Sequence, residues 1–326
     1  MFDKKYLVAD IGATNTRLAI LNNKGFFVKK EYYKNKDVSS INDLIKQFVS
    51  KENISYACIA VAGPVSSDRT LVNITNNNWT ISSLELSKIL KTRVIFLNDL
   101  EALGFAMDII KESDYIILTE NNMDSSATIS IIAPGTGLGT SIVYPLKNKH
   151  YPIPSEGGHS SIFFDPDSKL EIDLFKYMKE KKIPLEAESL ITGKGIITIY
   201  QFLLSKKIKH DRKVMQEIKN SSEKAELITK YALQDKDFLC LKTLELFVLF
   251  LSRSARNLAL TSLCKTLFIG GGIAPNILPI LKDGFVEAFN SHDRIEIRKI
   301  LETISVAVIT NPDLTLLGAY NVLKNS

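Results

Sequence analysis

Cysteine is scarce in this chain of 326 residues: Cys58, Cys240 and Cys264 are the only three, each inside an apolar stretch and none paired at a metal-ligand spacing. That argues against a disulfide framework or a cysteine-held metal, and reads as buried thiols in a reducing compartment. An excess of one charge sign is also missing. Forty-one Lys and Arg stand against 36 Asp and Glu, a net +5, in mixed-sign stretches such as Lys176 to Lys182 and Glu217 to Lys230. This is a solvated surface with mild attraction for anionic metabolites, and no nucleic-acid footprint is expected. Long hydrophobic runs are absent too. The most apolar segment, Phe238 to Cys264, is interrupted by Lys242, Glu245, Arg253 and Arg256, so a buried helix is expected and no membrane association. No signal peptide is expected ahead of the first strand, which places the chain in the cytoplasm.

What is present is an ordinary globular balance, 45% hydrophobic and 24% charged, enough for one very large domain or two ordinary ones. An apolar run from Tyr6 to Ala9 stops at Asp10-Ile-Gly-Ala-Thr-Asn-Thr, resumes at Arg17 to Leu21, and halts at Asn22-Asn-Lys-Gly25 before Phe26 to Tyr33. Three strands joined by turns are predicted. Helices are expected at Ile41 to Val49, capped by Ser39 or Ser40, and after the capping-box pattern Ser82 to Glu85, with strands at Tyr56 to Val61 and Val94 to Leu97. Beyond a helix near Leu100 to Met107 the plan starts again: Thr128 to Ala133, the turn Pro134-Gly-Thr-Gly-Leu-Gly139, then Thr140 to Tyr144. Helical patterns follow at Leu170 to Met178, Gly193 to Leu204, Ala225 to Leu233 and Phe238 to Cys264. Strands are expected at Thr266 to Ile269 and Ser305 to Ile309, the last leading into a helix ending near Leu323. No Pro/Gly/Ser-rich linker marks a boundary, so a boundary near residue 110 is inferred from the repetition; the expected α/β domains are 1–109 joined by the C-terminal segment 305–326, and 110–304.

Several turns carry residues with chemistry. Asp10 to Arg17 puts a carboxylate, a flexible glycine and two hydroxyls between strands, a set able to meet phosphate oxygens and a Mg²⁺, or simply to form a hairpin with a polar loop. Gly135-Thr-Gly-Leu-Gly139 offers a second such cradle and Gly270-Gly-Gly272 a third, each at a strand end. Asn98-Asp99 follows an apolar strand at the end where open α/β sheets place ligands. There Asp99 suits a general base for a hydroxyl and Asn98 a neighbouring hydrogen bond; as a helix N-cap, Asp99 would be equally at home. Ser155-Glu156-Gly157-Gly158-His159 brings together an acceptor and a donor suited to adjacent sugar hydroxyls, or forms a surface turn. Glu188, before Thr192-Gly193-Lys194-Gly195, reads on its own as a solvated helix end.

Taken in order, these motifs resemble the bacterial glucokinase family, a branch of the sugar kinase, heat-shock protein 70 and actin superfamily, from residue 6 to about 320. The resemblance implies a two-lobed actin-like ATPase fold, with ribonuclease H-like duplicated α/β domains and a central cleft. The family's first phosphate motif, Asp-x-Gly-Gly-Thr-Asn-x-Arg, is matched by Asp10, Ile11, Gly12, Ala13, Thr14, Asn15 and Arg17, with Ala13 adding a methyl group where the family has its second glycine. Its second phosphate motif resembles Gly135, Thr136 and Gly137 to Gly139, and its adenosine motif Gly270 to Gly272, with Gly271 and Gly272 as nucleotide contacts. Its Asn-Asp pair resembles Asn98-Asp99, its Glu-Gly-Gly-His loop Glu156 to His159, and its Ala-Glu with a following Ser/Thr-Gly-x-Gly turn Ala187-Glu188 and Thr192 to Gly195. Asn73 to Trp79 looks like its Asn-x-x-Trp segment. No cysteine-rich loop like that of the repressor, open-reading-frame and kinase group follows His159, so His159 is assigned to sugar and not to zinc.

The resemblance implies an ATP:hexose 6-phosphotransferase acting on glucose, with ATP and Mg²⁺, Asp99 as base, Asp10 near the metal through water, and a homodimer. Two other classes remain open at this level: a kinase for another hexose such as mannose, fructose or an N-acetyl hexosamine, and a sugar-sensing regulator of the same fold. Regulators of that kind carry an N-terminal helix-turn-helix, and the phosphate strand beginning by residue 6 leaves no room for one. An actin-like filament protein would not call for the sugar-contacting residues.

Overall fold

The computed structural model describes residues 4–74, 79–124, 126–147, 149–206 and 208–325. In chain order the elements are β1 (Tyr6–Ile11), β2 (Asn15–Leu21), β3 (Phe27–Lys34), α1 (Ile41–Phe48), β4 (Tyr56–Val61), β5 (Leu71–Ile74), β6 (Trp79–Ser82), α2 (Ser83–Leu90), β7 (Val94–Asn98) and α3 (Asp99–Phe105). Then come β8 (Tyr115–Ile117), β9 (Ile129–Pro134), β10 (Leu138–Leu146), β11 (Lys149–Ser155), α4 (Lys169–Glu180), α5 (Gly193–Ser205), α6 (Arg212–Asn220), α7 (Lys224–Leu233) and α8 (Phe238–Ser262). The chain ends with β12 (Thr266–Ile269), α9 (Leu278–Asn290), α10 (Ile295–Glu302), β13 (Ser305–Ile309) and α11 (Leu314–Asn325).

The first sheet runs β3-β2-β1-β4-β7, antiparallel from β3 to β1 and parallel from β1 to β7. Its inner strands β1 and β4 are apolar on both faces, apart from Asp10 near the end of β1, and their two-residue period sends alternate residues to opposite sides of the sheet. Leu7, Ala9 and Ile11 of β1, with Ala57, Ile59 and Val61 of β4, pack on one face against Ile41 and Ile45 of α1 and Leu86 of α2. The alternate residues Tyr6, Val8, Cys58 and Ala60 pack on the other face against Leu316, Ala319 and Tyr320 of α11. Ser40 and Ser82 cap α1 and α2, each accepting from the backbone N–H three residues on.

The second sheet runs β11-β10-β9-β12-β13-β8, with β12 parallel to both β9 and β13. Its core is dominated by α8, whose Leu244, Phe247, Phe250 and Leu251 are buried. The charges interrupting this helix sit on its rim: Lys242 pairs with Glu245 in solvent, and Arg253 reaches the buried Glu171 of α4. Among the described residues no helix is long and apolar enough to cross a membrane.

The chain divides into two compact units, one running to Asp114 and taking in Val143–Pro154 and Asn311 onward, the other comprising Tyr115–Ile142 and Ser155–Thr310. The expected boundaries are corrected at Val143–Pro154, expected in the second domain but grouped with the first unit, and at β13. β13 does not return to the first unit; its five buried residues are held between β12 and β8 in the second sheet. Only from Asn311 does the chain belong to the first unit, where Asn311 donates to the Asp114 backbone oxygen (3.1 Å) and side chain (2.8 Å).

Candidate active site

In the first unit β1 and β2 are joined by the predicted turn. Gly12 N–H donates to Asn15 O at 2.9 Å, and Asn35 braces the loop by donating from Nδ2 to Gly12 O (2.8 Å) and from its backbone N–H to Thr14 O (2.9 Å). Thr16, fully buried, donates to Asn35 Oδ1 at 2.8 Å. Ile11 is buried beneath the turn, Gly12 and Ala13 are half-buried, and Thr14 and Asn15 stand exposed at its tip. Asp10 faces Arg17 in the ladder and pairs with it at 2.9 Å; Arg17 also donates to Pro312 O at 3.2 Å. Burial pushes the Asp10 carboxyl above its usual range, and the Arg17 charge and hydrogen bond only partly oppose that. A desolvated carboxylate whose charge is incompletely compensated fits a site for a divalent cation.

The register of the sheet brings the next pair to the same end. Ile11 lies opposite Val61, and Val61 opposite Asn98, so the Asp10 turn and Asn98-Asp99 emerge from the same carboxyl end of the sheet two strands, roughly 10 Å, apart. The cap of α3 is Asn98 and not Asp99: Asn98 Oδ1 accepts from Leu100 N (2.9 Å) and Glu101 N (3.4 Å), and its Nδ2 donates to Gly63 O (3.3 Å). Asp99 is the first helical residue, half-buried, its carboxylate accepting from Leu100 N at 2.9 Å.

Two residues absent from the sequence reading fix this corner. Glu101, buried, completes the capping box by accepting from Asn98 N (3.3 Å), and Arg69 grips both its oxygens at 2.8 and 3.0 Å while donating to Phe96 O at 3.1 Å. Arg69 sits at φ 55°, the left-handed conformation of a tight turn. The capping-box spacing Asn98-x-x-Glu101 was a signal available in the sequence; the partner Arg69, 32 residues away, was not. Of Asn73 to Trp79, residues 75–78 lie outside the described residues; Asn73 and Trp79 belong to the β5-β6 hairpin.

In the second unit three of the expected loops meet. The turn after β9 is closed by Gly135 N–H donating to Gly137 O (2.9 Å), and Gly193, at the start of α5, donates to Gly135 O (3.0 Å). Glu188 lies against this turn: its Oε2 accepts from Leu138 N at 2.9 Å, and a Cβ on Gly137 would stand 3.0 Å from that same oxygen. Thr136 and Gly137 are exposed and Gly139 half-buried. Gly271 has φ 75° and brings its backbone so near the turn that a Cβ would meet Pro134 O at 2.2 Å, whereas Gly272 opens onto free space. Such bare backbone at two adjacent strand ends fits a phosphate- or nucleotide-binding surface.

Glu156 and His159 flank a short 3₁₀ turn, both exposed. The turn is seated tightly, since a Cβ on Gly158 would fall 2.0 Å from Leu138 O. His159 Nδ1 lies 3.2 Å from Glu186 Oε2, and its Nε2 4.0 Å from Glu156 Oε2. Glu186, which sequence reasoning passed over, thus joins His159 and Glu188 in one cluster whose ligand atoms lie within 4.8 Å of one another.

The sequence profile of glucokinases matches residues 7–326. The chain belongs to the glucokinase family. A curated glucokinase of Trichormus variabilis is 33% identical over 337 aligned residues, covering 96% of this chain and 97% of its own. Among solved structures, a glucokinase from an Antarctic psychrotroph superposes with a TM-score of 0.79 at 26% identity, covering 99% of both chains. A glucokinase of Balamuthia mandrillaris solved with glucose gives 0.81 at 23% identity, over 99% of this chain and 94% of that one, a likeness of fold. Family membership and these neighbours make the fold that of the sugar kinases, two duplicated α/β units. In this glucokinase-family chain the three cysteines are free and buried, and burial raises the thiol pKa of each, so none is poised as a nucleophile.

Proposed function

We propose that this chain is an ATP-dependent glucokinase that transfers the γ-phosphate of ATP to the 6-hydroxyl of D-glucose, with Asp99 as the general base. The observation that carries the reading is the glucokinase match along the whole of residues 7–326. The reaction forms the O6–P bond and breaks the bond from the γ-phosphorus to the oxygen bridging it to ADP. Asp99 takes the O6 proton, so that the attacking oxygen gains charge as the leaving group departs. Glu156, His159 and Glu188 contact the sugar hydroxyls, and Asn98 orients Asp99 by starting α3 one residue before it. The turns at Asp10 to Arg17 and Gly135 to Gly139 would offer backbone N–H groups to phosphate oxygens, and Gly271-Gly272 would face the adenosine. Asp10 would hold Mg²⁺, which when bound would neutralise charge on the phosphates. We further propose a cytoplasmic location and a homodimer.

Asp99→Asn tests the base assignment. With the cap supplied by Asn98, the substitution leaves the start of α3 intact, and kcat is expected to fall by about 10²–10⁴-fold with an unchanged melting midpoint and with glucose still bound. Near-normal turnover by the folded variant would overturn the assignment. Wild-type protein that fails to form glucose 6-phosphate from glucose, ATP and Mg²⁺ would overturn the activity itself.

A further inference from the structure

Resting on the reading above, we propose that Glu186 is a positioning residue for the sugar site: it holds the His159 ring through Nδ1 and leaves Nε2 as the atom offered to a sugar hydroxyl. The two residues are 27 positions apart, and the backbone brings them together. Ile162 N–H donates to Leu185 O (3.2 Å) and Ala187 N–H to Ser160 O (2.9 Å), with Ser161 bridging Glu186 as in an antiparallel ladder. These bonds zip the segment after His159 onto the segment leading to Glu188, so the Glu186 side chain is placed by main chain rather than by a flexible loop. Its Oε2 stands 3.2 Å from His159 Nδ1.

An imidazole whose Nδ1–H donates a hydrogen bond to a carboxylate has its tautomer decided for it. Nε2 is then an acceptor in the neutral ring and a donor in the charged ring. The charged groups facing the ring are all acidic: Glu186, Glu188 and, on its own loop, Glu156. Partial burial works against the imidazolium, but the hydrogen bond to Glu186 and the three carboxylate charges outweigh it, and the His159 pKa lies above its ordinary 6.5. Glu186 therefore keeps Nε2–H available as a donor at higher pH than an isolated histidine would. Glu156 Oε2, 4.0 Å from Nε2, is beyond hydrogen-bond reach and leaves that proton for a ligand.

The consequence is a pH dependence of glucose affinity that a purely structural Glu186 would not produce. Glu186→Gln keeps an oxygen acceptor of the same shape and removes only the charge. In the full-length protein labelled with ¹³C-histidine, the His159 resonance is assigned by its loss in His159→Ala from among the four histidines. Its midpoint is expected to fall by about half to one pH unit in Glu186→Gln and at least as far in Glu186→Ala. The glucose KM of Glu186→Gln is expected to rise about 3- to 10-fold at pH 8 and to approach wild type at pH 6, with the ATP KM unchanged at both. An unchanged His159 midpoint in Glu186→Gln overturns the proposal whatever the kinetics show. A lowered midpoint with a wild-type glucose KM at both pH values also overturns it. In that case His159→Ala separates the causes: a raised glucose KM leaves His159 in the sugar site without Glu186, and an unchanged one removes His159 from the site.

Discussion

At the scale of single residues, Asp10 and Asn98 make opposite predictions about stability and activity. The native pKa of Asp10 is raised, so the folded state disfavours its charge; stability from this group is complete below its ordinary 3.8 and is lost as pH rises through the native value. At neutral pH, Asp10→Asn is therefore expected to leave the melting midpoint unchanged or higher while Mg-ATP-dependent turnover collapses. A lowered midpoint would make the Asp10–Arg17 pair a structural bond in the first place. Asn98→Ala removes a helix cap and is expected to cost about 1 kcal/mol, whereas Asn98→Asp retains the cap. Equal thermal losses for both variants would contradict the cap geometry. Ala13 stands where the phosphate motif that this turn resembles has its second glycine; Ala13→Gly is expected to change the KM for ATP or kcat and leave the glucose KM alone. A change confined to glucose would misplace the turn.

At the scale of elements, α3 is the piece that carries Asp99, and it is wedged by backbone contacts as well as capped. A Cβ on Gly318 of α11 would lie 1.8 Å from Ala102 O, and one on Gly104 would lie 2.5 Å from Pro152 Cβ in β11. The Gly318 contact cannot relax by turning a side chain, because the obstacle there is main chain. Gly318→Ala is expected to force α3 and α11 apart, costing roughly 1–3 kcal/mol and lowering kcat more than it raises either KM. A variant as stable as wild type would show that the two helices slide freely. The sequence periodicity identified α3 and α11 as helices, and their apolar faces follow from spacing alone. That a glycine in α11 sets the approach of α3 was not legible, because the two lie more than 200 residues apart and only packing pairs them.

At the scale of the molecule, the first unit is discontinuous in sequence. Tyr320 of α11 stacks edge-on against Tyr6 of β1 at 5.1 Å, and Asp313 binds Lys30 (2.6 Å) and Tyr32 (3.0 Å) of β3. Without residues 311–326 one face of the first sheet, with Val8, Cys58 and Ala60, loses the apolar cover it is buried against. A fragment of residues 1–114 is expected to lack a cooperative thermal transition and to bind a hydrophobic dye, whereas the full chain melts cooperatively. A cooperative transition in the fragment would show that α11 is dispensable.

The sequence alone determined the strands and turns that carry the proposed site residues. β4, β12 and β13 fall where period and composition put them, and the places of Asp10, Asn98, Asp99 and the glycine turns at strand ends were legible because the signal is local: a short apolar run ending in a polar or glycine turn. The elements it missed were the β5-β6 hairpin, β8, β11, α6, α9 and α10: β5, β6 and β8 are short and β11 is mostly exposed, whereas α6 and α10 carry a clear amphipathic period that was available in the sequence. Tertiary structure decided the partners. It gave the cap to Asn98, paired Arg69 with Glu101, laid Glu188 against the Gly137-Leu138 backbone, and set Glu186 beside His159. It also placed β13 in the second sheet. These are choices between residues far apart in sequence, made by strand register and close packing, and a one-dimensional pattern carries no distance information about them.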